Sequence, residues 1–340
     1  MTGDADPQAT VSDLLDGSWR AQIVGAFVRL GCPDALTDRA LSVLELARLT
    51  GAQPAPLQRL LRAAEALGLC GCSDDVVTLT AAGALLVSTN PQSVQAWAVL
   101  CTDSWLTRAW ELLAHAVRTG DAAFVEAHGE DFWHYVRSHP DQAAFFDQAM
   151  TSGAAARAEI VAAHIDLARV GAVVDVGGGK GELLARLLSA QSHLTGIVVE
   201  RPEVIAGAER SLDPSVRGRL RFHAASFFTD VPRGADLYIL SRILHDWNDD
   251  RALDVLRTCR HSMDPGARVC VLESVLPDHQ TIRPEDAIEA AVKDLNMLVL
   301  VGGQERTSAE YEGLLVAAGF DDVNCILTGA AADVIVATAA

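Results

Sequence analysis

Val173-Val-Asp-Val-Gly-Gly-Gly-Lys-Gly-Glu-Leu-Leu184 carries a buried-strand run into a loop that is almost all glycine and then into a helical pattern. In such a strand–turn–helix the glycines let the backbone pass close to a ligand at the mouth of a sheet. Two phosphate-binding motifs fail here. With Gly177 and Gly179 as the first two glycines of G-x-G-x-x-G, the third position falls on Glu182. The loop G-x-x-x-x-G-K-[ST] fails because Lys180 is followed by Gly181. Asp175, just before the loop, repels a pyrophosphate and favours an ammonium group, directly or through water. Glu200 closes the next apolar run, where an acid accepts hydrogen bonds from both ribose hydroxyls. A nucleoside with a cationic amino-acid tail fits this arrangement better than a dinucleotide does.

Downstream, short apolar runs at 196–200, 219–223, 236–240 and 268–273 alternate with helical stretches near 181–190, 202–211 and 249–263. That rhythm predicts a parallel sheet with helices on both faces. A helix near 308–318 and two strands at 322–327 and 333–338 end the chain. Upstream the pattern differs. Residues 92–167 read as almost entirely helical, with Trp97, Trp105, Trp110, Phe132, Trp133, Phe145 and Phe146 along them. Residues 41–47 and 56–67 have apolar positions at helical spacing, with Thr50-Gly51 and Gln53-Pro54 supplying the turn between them. A Ser73-Asp-Asp75 turn, the run Val76-Val-Thr-Leu79 and a Thr80 cap come next. Helix, turn, helix and wing together predict a winged-helix module.

The 340 residues favour two domains. Half are hydrophobic and 21% are charged, and 27 Lys and Arg against 45 Asp and Glu leave a net charge of −18. That balance, with an acidic wing at Asp74-Asp75, opposes the rival reading of the winged helix as a DNA-binding regulator. No stretch approaches the ~18 apolar residues of a membrane span. The first residues are acidic and lack a signal-peptide core. The seven cysteines are odd in number and scattered, and Cys70-Gly-Cys72 matches no metal pattern, so reduced thiols in a cytoplasmic protein are expected.

Several separated motifs then converge: the loop at 175–181, Ser226-Phe-Phe228, His245-Asp-Trp247, the strand end at Glu273, Asp294-Leu-Asn-Met-Leu298 and Gly302-Gly-Gln-Glu-Arg-Thr307. Arg59-Leu-Leu-Arg62 and Leu79-Thr-x-x-Gly83 add to them upstream. On these the chain resembles class I S-adenosylmethionine-dependent methyltransferases. More narrowly it resembles the O-methyltransferases that include plant caffeate-type enzymes and bacterial enzymes tailoring aromatic polyketides. The resemblance implies an α/β fold in three parts. They are a mostly α, winged-helix-like dimerisation domain at 1–100, a helical connector at 101–168 contributing to the substrate pocket, and a Rossmann-like catalytic domain at 169–340. It also implies a homodimer. The apolar face around Leu14, Ile23, Phe27 and Leu30 is expected to bury against the second copy.

A phenol, with an ordinary pKa near 10, is almost wholly protonated at neutral pH, so a neutral imidazole at hydrogen-bond distance is an economical general base. The resemblance assigns that role to His245 and places Glu273 and Glu305 as the acids that orient it. Asp246 is expected to point away from the imidazole and only line the pocket. S-adenosyl-L-methionine, leaving as S-adenosyl-L-homocysteine, would be held by Asp175, Gly177, Gly179, Gly181, Glu200, Arg201, Ser226, Phe227 and Ser241. Ser226 stands where many relatives carry Asp, which implies a weaker bond to the adenine amine. Phe146 and Met150, four apart on one helical face, and Asn296 would contact an aromatic substrate. No metal is expected, because no metal-spaced cluster of His, Asp and Glu accompanies the loop. The expected reaction is in-line methylation of a phenolic hydroxyl of a small natural product. Two alternatives stay open: N-methylation, and relatives that keep the cofactor but hydroxylate, decarboxylate or run pericyclic reactions.

Overall fold

The computed structural model describes residues 6–151, 153–206, 208–277 and 284–340. The chain divides into two compact units, Met1–Thr107 with Pro140–Ser152 and Arg108–His139 with Gly153–Ala340.

In the first unit Ser42 and Glu45 form a reciprocal capping box that starts the helix Val43–Thr50, and Gly51 ends it in the left-handed region at φ 68°. The helix Pro54–Ala66 opens with proline in its first turn, where the missing N–H costs nothing. Cys70–Ser73 and Val76–Leu79 then pair antiparallel. Asp74 and Asp75 both take positive φ, as a tight hairpin turn of matching twist requires. Leu41 and Ser42 add a third short strand. Helix–turn–helix–wing is therefore the observed arrangement. One expectation fails: Phe27 is fully buried in this unit's own core with Leu46, Leu57, Leu61 and Val77, and Leu30 packs against that core. The exposed apolar side chains nearby are Leu14, Leu15 and Trp19, each more than 70% exposed. Phe27 stands on the side of its helix that meets this core of helix and strand residues, and burying its ring there removes apolar area from water.

The second unit is built on seven strands: β1 (Ala172–Val176), β2 (Thr195–Glu200), β3 (Leu220–Ala224), β4 (Leu237–Ser241), β5 (Arg268–Glu273), β6 (Phe320–Ile326) and β7 (Asp333–Ala339). Their spatial order is β6-β7-β5-β4-β1-β2-β3. The first five are parallel, while β7 runs antiparallel to both β5 and β6. The sheet is thus mixed at one edge rather than parallel throughout, because β6 and β7 are joined by a short connection that can only reverse direction.

Five helices flank this sheet or lead into the site: α1 (Ala154–His164), α2 (Glu182–Ala190), α3 (Asp249–Ser262), α4 (Pro284–Val301) and α5 (Ser308–Ala317). Strand alternation sorts the core onto two faces. Tyr238 and Leu240 pack with Val255, Leu256 and Cys259 of α3 and Leu315 of α5. Leu237 and Ile239 face Val161 of α1 and Leu184 and Leu187 of α2. The helix expected over 202–211 is instead two single turns, Pro202–Ile205 and Ala208–Ser211. Gly207 lies between them in the sequence, the costliest helix residue after proline. All seven cysteines are free thiols. No helix among the described residues is long and apolar enough to cross a membrane.

β1 has β2 on one side and β4 on the other, so the order of connections reverses between β1 and β4. In open α/β sheets ligands bind at such a switch point, beyond the carboxyl ends of the strands.

Candidate active site

Asp175 is the penultimate residue of β1, and the loop after it is shaped by contacts that exclude side chains. Gly177 takes φ +69°, and a Cβ there would lie 2.4 Å from Ile243 Cδ1. A Cβ on Gly178 would lie 2.4 Å from the Asp175 carboxylate. Asp175 is 1% exposed, and among the described residues neither carboxylate oxygen has a hydrogen-bond partner. Burial lifts its pKa to about 7, with Arg157 of α1 opposing and Glu200 adding to the rise. Ser241, at the end of the neighbouring β4, also has a buried hydroxyl without a partner among the described residues. Unpaired buried acceptors cost free energy, so two of them at adjacent strand ends point to a ligand that brings donors.

Glu200 closes β2. Its Oε2 accepts from Gly179 N at 3.3 Å and its Oε1 from Arg201 N at 2.8 Å. Burial pushes its pKa up, against the lowering effect of the Arg201 N–H and guanidinium. Arg201 Nε lies 3.6 Å from Glu200, and the guanidinium sits 5.7 Å over the Trp133 ring. The ring of Phe227 meets Trp247 edge-on at 6.5 Å. Ser226 is exposed, and its carbonyl caps the turn by accepting from Thr229 N and Asp230 N. Gly179 leaves open space where a Cβ would stand and Gly181 opens α2.

A second cluster lies past β4. The backbone takes positive φ at Arg242 and then makes a 3-10 turn, Leu244–Asp246, that buries His245 to 5% exposure. Its Nδ1 is 2.9 Å from Glu305 Oε1 and 3.3 Å from Glu273 Oε2. Glu273, at the end of β5, is fully buried, and its other oxygen accepts the backbone N–H groups of Ile243, Leu244 and His245 at 3.0, 2.8 and 3.4 Å. One carboxylate thus shapes the turn and steadies the ring. Asp246 does not point away: its Oδ1 is 3.6 Å from His245 Nε2, because the tight turn folds residue 246 back beside the imidazole. Burial is the largest influence on the imidazole and pulls its pKa down. Glu273, Glu305 and Asp246 together outweigh it and lift the value to about 9.

The sequence reading missed Arg306, the largest fully buried side chain among the described residues. Its Nη1 donates to Leu244 O at 3.0 Å, its Nη2 to Trp247 O at 2.8 Å and its Nε to Asp249 at 2.9 Å. It clamps the two carbonyls that flank His245, while Gln304 N donates to His245 O itself. The one signal available in sequence was an arginine wedged between a motif acid and the Thr307 cap of α5. The sequence also did not reveal that ligand-type atoms of His245, Glu273 and Glu305 lie within 4.8 Å of one another, a grouping able to hold a metal ion. Nδ1 and Glu305 already stand at hydrogen-bond distance. Asn296 lies on α4 and accepts from Trp110 Nε1. Phe146 and Met150 lie on the helix Pro140–Thr151 of the other unit, both half-buried.

The chain matches the family model of the O-methyltransferase domain over residues 110–321 and that of the O-methyltransferase dimerisation domain over residues 12–89. It is 36% identical, over 93% of its own length and 89% of the relative's, to the mitomycin biosynthesis 6-O-methyltransferase of Streptomyces lavendulae. The solved structure of the mitomycin 7-O-methyltransferase MmcR superposes with a TM-score of 0.89 at 35% identity, covering 98% of each chain. An O-methyltransferase from neocarzinostatin biosynthesis, solved with S-adenosylmethionine and 2-hydroxy-5-methyl naphthoic acid, gives 0.78 at 32% identity, covering 94% of this chain and 96% of that one. With both family models matched and these likenesses running nearly end to end, the chain belongs to the O-methyltransferase family and is an S-adenosylmethionine-dependent methyltransferase.

Proposed function

We propose that the protein methylates a phenolic hydroxyl of a small aromatic natural product, with His245 as general base and no metal. The observation that carries this is the asymmetric seating of the imidazole. Nδ1 is engaged by Glu305 and Glu273, which keeps Nε2 as the nitrogen that takes up a proton. When bound, the cofactor supplies an electrophilic methyl group on a sulfonium.

The chain's own residues do the rest. Asp175 and Ser241 offer unpaired acceptors to the α-ammonium, Glu200 accepts from the ribose hydroxyls, and Phe227 covers the adenine beside Ser226. Gly177, Gly179 and Gly181 let the backbone approach, and Arg201 steadies Glu200. Nε2 receives the hydroxyl proton while Nδ1 keeps its hydrogen and donates it to Glu305. Against a phenol with a pKa near 10, a base with a conjugate acid at about 9 makes that transfer uphill by about 1.4 kcal/mol. An unperturbed imidazole would face about 5 kcal/mol. Three carboxylates around one ring do what an electrophilic metal would otherwise do, by making the hydroxyl's proton easier to remove. Asn296 meets a substrate oxygen. Asp246 lines the same pocket.

Residues 1–100 serve as the dimerisation domain, 101–168 as a connector contributing to the pocket and 169–340 as the catalytic domain of a cytoplasmic homodimer that binds neither nucleic acid nor membrane. The match to a dimerisation domain and the exposed Leu14, Leu15 and Trp19 support the second copy. The naphthoic acid in the neocarzinostatin relative supports an aromatic acceptor. The test is His245→Ala: cofactor affinity by calorimetry stays within about twofold while turnover on a phenol panel falls by ~10²–10⁴-fold, and chelators leave the wild-type rate unchanged. Turnover close to wild type in that variant rejects the base, and activity lost to a chelator rejects the metal-free mechanism.

A further inference from the structure

The Asn296 amide is held from one side. Trp110, on the helix Ser104–Glu111, donates its indole N–H to Asn296 Oδ1 at 3.1 Å. An indole N–H can only donate, so the amide oxygen must be the atom that meets it. The amide is thereby locked with its NH2 turned the other way. Both side chains are half-buried, and among the described residues Nδ2 makes no hydrogen bond. An amide left to choose could present either its oxygen or its nitrogen to a ligand. Here the oxygen is taken.

The helix that carries Asn296 also belongs to the base's surroundings. α4 packs against the 3-10 turn bearing His245, and its Asp294 accepts Glu305 N at 2.9 Å. These neighbouring elements therefore offer two groups of opposite kind: an imidazole nitrogen that accepts a proton, and an amide that only donates. A substrate satisfying both has a hydroxyl for the first and an oxygen that accepts for the second. Leaving a donor unpaired in a desolvated pocket costs more than an ordinary hydrogen bond returns, so a substrate lacking the oxygen is disfavoured.

We propose that Trp110 is a specificity-determining positioning residue, holding Asn296 as a donor so that the enzyme selects phenols whose ring system also carries an acceptor oxygen of the carbonyl, carboxylate or ether kind. This rests on the reading of the substrate as a phenol.

The test uses the full-length enzyme with S-adenosylmethionine and a set of hydroxynaphthalenes bearing, at each ring position in turn, an acetyl group or an ethyl group of similar size. The readout is the kcat/KM ratio of each acetyl compound to its ethyl partner, compared between wild type and Trp110→Phe, which keeps the ring and removes the N–H. Comparing ratios cancels the effect of the acetyl group on phenol acidity. For one ring position the wild-type ratio should exceed that of Trp110→Phe by about 3–10-fold, with the difference in KM and with kcat on the ethyl compound within about twofold. Asn296→Leu should lose the same preference, which covers the case in which the indole substitution fails to fold. Ratios unchanged in a variant that still binds the cofactor overturn the proposal while leaving the phenol reading intact. A wild type that binds S-adenosylmethionine and methylates none of the set overturns the phenol reading, and this proposal with it.

Discussion

The sharpest consequence of the buried imidazole is a pH profile. Three carboxylates lift His245 from an ordinary value of 6.5 to about 9 in spite of its burial. At about 1.4 kcal/mol per pKa unit, this is a net preference of about 3 kcal/mol for the imidazolium. At pH 7 about one free enzyme molecule in a hundred then carries the neutral base. With cofactor saturating and an acceptor whose hydroxyl titrates above pH 10, kcat/KM should climb about tenfold per pH unit from 6.5 and level off near 9. Glu305→Gln removes the 2.9 Å charge-assisted bond to Nδ1 but keeps its length and an acceptor oxygen. Such a bond contributes about 1.5–3 kcal/mol, which is one to two pKa units, so the midpoint should fall to about 7–8. The plateau falls too, because a less basic nitrogen removes the proton less readily, and the variant is least impaired at neutral pH. Stability runs the other way. A folded pKa above the unfolded one means that the imidazole's stabilisation is complete below pH 6.5 and is lost as pH rises through about 9. Stopped assays across pH 6–10 measure the first effect and urea unfolding across the same range the second. A wild-type rate that is flat from pH 6.5 to 9.5, or a Glu305→Gln midpoint still at about 9, refutes the carboxylate cage as the source of the basicity.

Three other perturbations arise from particular contacts. Asp175 ionises near 3.8 when unfolded and at about 7 when buried, so its cost to the fold grows between pH 4 and 7. Asp175→Asn should gain about 2–4 kcal/mol in chemical unfolding at pH 8 and almost nothing at pH 4, while cofactor affinity by calorimetry collapses. Gly177→Ala places a Cβ at φ +69° against Ile243 and should cost about 1–3 kcal/mol and weaken cofactor binding. A variant as stable as wild type would show that the loop relaxes freely. Arg306→Met takes one donor from the carbonyl of Leu244, which keeps the N–H of Trp247, and takes the side-chain donor from the carbonyl of Trp247. It should lose about 2–4 kcal/mol and lower kcat more than it raises the cofactor KM, a split measurable by steady-state kinetics.

Local pattern was enough for much of this molecule. The strand–glycine–helix at 173–184, Glu200 at the next strand end and the helix–turn–helix–wing upstream are written in adjacent residues, because propensity, capping and turn chemistry act over a few positions. The motifs at 226–228, 245–247 and 302–307 were legible as types of chemistry. What they do to one another was not. His245 lies 28 residues from Glu273 and 60 from Glu305, and only the pairing of β4 with β5 and the return of the chain after α4 bring them around one ring. Asp246 was read as turned away and proved to stand beside Nε2, since side-chain direction in a 3-10 turn depends on the turn itself. Phe27 was read as an outer face and is core, because apolar periodicity marks a buried stripe without saying what buries it. Arg306 stands in the sequence only as one position of the 302–307 motif and is wholly buried, and Trp110 reaches Asn296 across 186 residues. The sequence by itself determined the fold, the family and the kinds of groups available. The tertiary structure decided which groups share a low-dielectric space, and with it their proton affinities and hydrogen-bonding roles, because parallel crossovers erase sequence distance while burial magnifies every charge brought within it.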